Sequence, residues 1–112
     1  MLGVIMKHLL KTESHTAYLV FDGDSFIGAG GVSFYKVMPS YHNPTGETAF
    51  LMNIYTAPEY RKKGIGRNVL DILVSDCKKR GVGQITLDTT KMGRSLYEKY
   101  GFVDLHDYME LK

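Results

Sequence analysis

The sequence predicts an α/β domain built on a mixed sheet, antiparallel at its start and parallel in the middle. Residues 17–21 (AYLVF) and 26–35 (FIGAGGVSFY) are strand-like runs on either side of Asp22-Gly23-Asp24, the signature of a hairpin turn. Further on, a run rich in aromatic and β-branched residues (50–56) gives way to apolar residues at helical spacing (Ile65, Val69, Ile72, Leu73, Cys77). A second short strand follows at 84–87. A strand, helix and strand of this length imply a parallel crossover. At 112 residues, with 44% hydrophobic residues, the chain has room for one core, so residues 1–112 form a single domain.

From the N-terminus, MLGVIMKHLL is too short to span a membrane, and no positive charge precedes its apolar run. Leu2, Ile5, Met6 and Leu9 stand at spacings of 3 and 4, which predicts a short amphipathic helix within residues 1–14 packed on the sheet. The hairpin comes next. Gly28, Gly30 and Gly31 in its second strand mark a bulge or a close approach by another backbone or a ligand. Residues 36–47, with Pro39, Pro44 and Gly46, read as a long loop of the kind that borders binding sites, with Tyr41 and His42 as possible lining. Pro58 ends the strand over 50–56, and the helix that follows runs to about Arg80, where Gly81 caps it. After the strand at 84–87, residues 91–100 predict a second short helix closed by Gly101, and residues 102–111 supply extended material for a closing hairpin.

The chemistry concentrates where the long strand meets its helix. Arg61, Lys62 and Lys63 precede Gly64-Ile65-Gly66, and the helix opens directly behind them. The first amides of a helix have no intrahelical acceptor and sit at the positive end of its dipole, so a glycine-opened turn there can cradle phosphate. No Gly-Lys-Ser/Thr is present and no third glycine stands at dinucleotide-fold spacing, which excludes both of those phosphate loops. The formal net charge of +2 and two short basic clusters do not indicate a nucleic-acid surface. Cys77 excludes an intrachain disulfide and fits a reducing, cytoplasmic compartment, and its place on the apolar helix face makes it a packing thiol. His8, His15, His42 and His106 lack metal-ligand spacing, and no metal is expected.

The segment NIYTAPEYRKKGIGRNVLDILV, followed by GRSLYEKYGF, resembles the GNAT superfamily of N-acetyltransferases, and the resemblance extends from about residue 18 to the C-terminus. It implies a GNAT-like mixed sheet with acetyl-CoA as co-substrate, and it makes residues 15–112 the acetyl-CoA-binding core. In that family the first motif's strand splays from its neighbour and lends backbone groups to the pantetheine arm, which here implies Ile54, Tyr55 and Thr56. Its turn holds the pyrophosphate, implying Lys62, Lys63, Gly64, Ile65, Gly66 and Arg67. Pantetheine carries amides and can add to a strand edge, and a diphosphate satisfies orphan helix amides, so the physics agrees.

The second motif's tyrosine implies Tyr97 as the general acid for the departing thiolate. Asp88, just past the strand at 84–87, stands where some relatives carry a carboxylate base. Asn53 stands where several relatives carry an acidic residue but cannot take a proton, and Glu47 or a water route stays open. The implied reaction is direct attack of a primary amine on the thioester through a tetrahedral intermediate, with an oxyanion donor among the amides near Ile54 and Tyr55. A CoA-binding module without turnover, or a phosphate-ligand sensor, are the alternative readings.

The resemblance also implies that the first strand and helix of the complete fold are missing. The edge of residues 17–21 is then expected to be uncovered and to pair with a second copy, giving a homodimer.

Overall fold

The computed structural model describes residues 3–105 and 109–112. Its first element corrects the expected N-terminal helix: residues Val4–Lys11 form a strand, β1. Val4 and Met6 turn inward onto the core while Ile5 between them faces out, an alternation of period two. β1 runs antiparallel to β2 (His15–Asp22), from Val4 opposite Asp22 to Lys11 opposite Thr16. The edge expected to lie open along residues 17–21 is therefore covered from within the chain and is not available there to a second copy. An unpaired strand edge offers a full row of backbone partners, which outweighs a helical periodicity carried by so few residues. Leu2, part of that expected helix, lies outside the described residues.

The hairpin forms as expected. β2 and β3 (Ser25–Lys36) are antiparallel, and Gly23 between them takes a left-handed φ of 60°. β4 (Glu47–Thr56) returns antiparallel to β3, and a 3₁₀ turn (Pro58–Tyr60) leads to α1 (Ile65–Lys79). β5 (Gln84–Leu87) pairs parallel with β4, and α2 (Arg94–Tyr100) follows. The result is one five-stranded sheet in the order β1-β2-β3-β4-β5, mixed as predicted.

The core lies between α1 and one face of the sheet. Val69, Leu70, Leu73 and Cys77 of α1 are buried against Val20, Val32 and Leu51. The β3 glycines make this approach possible: a Cβ on Gly30 would stand 2.4 Å from Val69 Cγ1 and 3.2 Å from Leu73 Cδ1. The long loop is fixed by Asn43, whose Nδ2 donates to Glu47 O and Thr48 Oγ1 while its Oδ1 faces Gly83.

The expected closing hairpin does not form in the residues that are described. Residues 102–105 and 109–112 carry no strand, and 106–108 lie outside the described residues. Asp104 is drawn instead to α2, where its Oδ1 accepts from Arg94 Nη2 at 2.6 Å. Among the described residues no helix is long and apolar enough to cross a membrane.

Candidate functional site

β4 changes character halfway along. Its pairing with β5 runs from Thr48 opposite Gln84 to Leu51 opposite Leu87 and stops, so Met52 to Thr56 continue without a β5 partner. On the other side, the β3 register passes from Gly31 opposite Met52 to Ala29 opposite Tyr55, which sets Asn53 and Ile54 together against Gly30. That is a β-bulge, and Asn53 carries its left-handed φ of 56°. Asparagine is among the few non-glycine residues that tolerate this conformation. Beyond Leu51 the β5-facing edge of β4 therefore carries backbone hydrogen-bonding groups that β5 does not use.

The strand itself leads into the basic turn. Lys62 and Gly64 take left-handed φ values of 61° and 86°. The first bond back into α1 is Asn68 N–H to Gly64 O, so the amides of Ile65, Gly66 and Arg67 have no intrahelical acceptor. A Cβ on Gly64 would meet nothing within 4 Å, so the space above the turn is open. Lys62, Lys63 and Arg67 are exposed around it, Arg67 resting over the Tyr100 ring at 5.1 Å and Lys63 over Tyr60 at 5.4 Å. Free amides, open space and cations at one helix start are the donor set a diphosphate requires.

α2 lies against the same helix start. Gly66 faces Leu96, and Tyr100 OH donates to Asp71 at 2.8 Å. Tyr97 is buried, its ring laid over the α carbon of Gly93 and edge-on to Phe102 at 6.3 Å. Burial pushes its phenol pKa up, so it keeps its proton at neutral pH. Tyr97 and Asp88 line one groove of about 860 Å³ between the free edge of β5 and α2, together with Phe50 and Leu87. Asp88 is exposed there.

Ile54, Tyr55, Thr56 and the 62–67 segment thus fall in one continuous path along β4 into α1. Ile54 points toward α1, Tyr55 stacks on Phe26 at 6.0 Å on the opposite face, and Thr56 O accepts from Arg61 Nε at 3.2 Å. Glu47 is not brought in. It pairs with Lys36 at 3.3 Å at the far end of β4. Asn53 lies six residue steps along the strand from it, about 20 Å at about 3.3 Å per step, which removes it as a base. Asn53 supplies the bulge, a role in backbone geometry.

Two features escaped the sequence. Gly93 is the floor under the Tyr97 ring, where a Cβ would stand 2.8 Å from Cε2. Tyr60 OH donates to Asp22 Oδ2 at 2.6 Å across 38 residues, a contact without a local signal. Among the described residues no group of three or more His, Cys, Asp or Glu is placed to hold a metal ion, and His106 lies outside them.

With this geometry in place, the comparisons with known proteins agree on a family. The model of the acetyltransferase (GNAT) family matches residues 4–102, and the chain belongs to that family. It is 28% identical over 98 residues to the uncharacterized N-acetyltransferase YsnE of Bacillus subtilis, covering 83% of this chain and 59% of that protein. It is 33% identical over 101 residues to the bovine (Bos taurus) thialysine N-epsilon-acetyltransferase, covering 88% of this chain and 56% of that one. Among solved structures, a predicted acetyltransferase from Clostridium acetobutylicum, determined with acetyl-CoA, superposes with a TM-score of 0.83 at 34% identity, over 88% of this chain and 64% of the other. The chain therefore spans between about half and two thirds of the length of these relatives.

Proposed function

We propose that this chain binds acetyl-CoA and transfers the acetyl group to a primary amine. The observation that carries the reading is the Asn53 bulge where β4 parts from β5, running without a break into the glycine-opened, cation-ringed start of α1. The bulge segment, Ile54 to Thr56, offers the pantetheine amides a strand edge, and the turn from Lys62 to Arg67 takes the diphosphate on amides and side chains. The relative from Clostridium acetobutylicum, seen with acetyl-CoA, supports that ligand here.

In the reaction, the amine nitrogen bonds to the thioester carbon and the oxygen takes up negative charge beside the β4 amides. The C–S bond then breaks, and Tyr97 gives its proton to the departing sulfur. The ammonium proton leaves to Asp88 directly or through water. Asp88's exposure on the Tyr97 groove makes this geometrically open.

The second reading, a CoA-binding module without turnover, draws on the chain's partial coverage of its relatives. Calorimetry with CoA against ATP tests binding, and thiol release from acetyl-CoA with a panel of amines tests turnover. CoA binding without thiol release selects the module. Absence of CoA binding removes both readings. A homodimer and a cytoplasmic location accompany the proposal; with β2 covered, pairing between copies would fall to β1, and sedimentation at micromolar concentration decides it.

A further inference from the structure

The turn that the functional reading assigns to the diphosphate is strained. Lys62, a residue with a Cβ, sits at a φ of 61°, a conformation that strains a non-glycine residue and persists only where surrounding contacts over-determine it. Those contacts converge on Tyr60. Its amide closes the 3₁₀ turn onto Ala57 O at 2.9 Å, and Ala57 N–H is itself bound to Ile27 O at 2.7 Å in β3. Its hydroxyl donates to Asp22 Oδ2 at 2.6 Å, at the end of β2. Its ring seats the Lys63 ammonium at 5.4 Å. Arg61, between them, is tied back to β4 through Thr56 O. Lys62 is thus preceded by Arg61, tied to β4, and followed by Lys63, seated on the Tyr60 ring.

We infer that Tyr60 is the positioning residue of this turn: the Asp22 bond fixes its ring, and the ring fixes Lys63 and the left-handed bend at Lys62 before the ligand arrives. The inference rests on the proposed function, since it needs a diphosphate at the turn. It assigns Tyr60 no contact with the reacting atoms. The Asp22 bond also holds the phenol pKa up, so the donor persists through neutral pH.

Tyr60→Phe keeps the ring and removes the hydroxyl bond; Tyr60→Leu removes the seat for Lys63 as well. The readout is affinity for CoA by calorimetry, set against affinity for pantetheine, which lacks the diphosphate, by NMR titration suited to weak ligands. Losing a hydrogen bond to a charged group predicts about a ten-fold weaker Kd for CoA in Tyr60→Phe, a larger loss in Tyr60→Leu, and pantetheine binding unchanged in both. Asp22→Ala, which removes the acceptor, should fall with Tyr60→Phe. Equal loss for CoA and pantetheine, or parent-like CoA affinity in a folded Tyr60→Phe, overturns the inference while leaving the acetyl-CoA reading in place. A parent chain that binds no CoA overturns both.

Discussion

The α carbon of Gly66 faces Leu96 so closely that a Cβ there would lie 2.9 Å from Leu96 Cδ2. The first turn of α1 therefore rests on α2, and Gly66 serves helix packing. Gly64, two residues earlier, differs: its Cβ would meet nothing, and its glycine is required by a φ of 86°.

Gly66→Ala should gain up to about 1 kcal/mol of helix propensity and lose about as much to displacing the end of the Leu96 side chain. In a Leu96→Ala background the second contribution disappears, so the same substitution should become stabilising. A double-mutant cycle by urea unfolding checks this, with an expected coupling of about 0.5–3 kcal/mol. Gly64→Ala should cost about 1–2 kcal/mol in either background, because its strain lies in the backbone. A Gly66→Ala effect independent of Leu96 would refute the packing role.

Gly30→Ala tests the approach of α1 to the sheet. A Cβ would stand 2.4 Å from Val69 Cγ1, on a buried face of α1. The expected loss is about 1–3 kcal/mol or more, reduced when Val69 is also cut to Ala. Additive effects in the cycle would show that α1 simply moves away.

The readable parts of this fold were those whose signals are local. The Asp22-Gly23-Asp24 turn, the Pro58 stop and the apolar stripe from Ile65 to Cys77 each lie within one segment, and each formed as expected. At the N-terminus Leu2, Ile5, Met6 and Leu9 fit helical spacing, whereas the strand buries Val4 and Met6 and exposes Ile5, an alternation that three consecutive apolar residues do not spell out. So short a run cannot decide between them; the free edge of β2 did. The Asn53 bulge was invisible for a related reason, since asparagine tolerates a left-handed φ without announcing it, and the register shift is a property of two strands. Motif residues 62–67 and Tyr97 were legible as a pattern. The contacts that hold them, Tyr60 to Asp22 and Gly93 beneath Tyr97, depend on the folded arrangement.

Alkaline pH should weaken the fold. Burial, reinforced by the charge of Asp76, pushes the Cys77 thiol from 9.0 up to about 11, and burial with the Asp76 hydrogen bond pushes Tyr18 from 10.0 up to about 12. Both groups bind their proton more tightly when folded, so the stability they lend is complete below the unfolded values and is lost as pH rises toward the folded ones. For the fully buried Cys77 the window runs from about 9 to about 11, and the loss is on the order of 2–3 kcal/mol. Urea midpoints measured from pH 8 to 11 should fall, less steeply in Cys77→Ala than in the parent. Parallel slopes would remove the thiol from the account.

Tyr97→Phe separates catalysis from binding. The substitution removes one hydroxyl and leaves the ring against Gly93 and Phe102, so CoA affinity should change little. If the hydroxyl protonates the leaving sulfur, turnover at pH 7 should fall by roughly 10²–10⁴. Burial raises the pKa of this phenol, so it stays protonated and available as a donor through neutral pH, and the parent should not lose its acid there. The departing thiol, with a pKa near 8.5, leaves unprotonated more readily as pH rises, so the deficit of the variant should shrink on the alkaline side. The comparison requires a good amine acceptor and chemistry shown to limit the rate, since slow product release would mask the loss. A Tyr97→Phe chain as active as the parent at pH 7 under those conditions would leave Tyr97 as packing in the groove wall and return the proton to solvent.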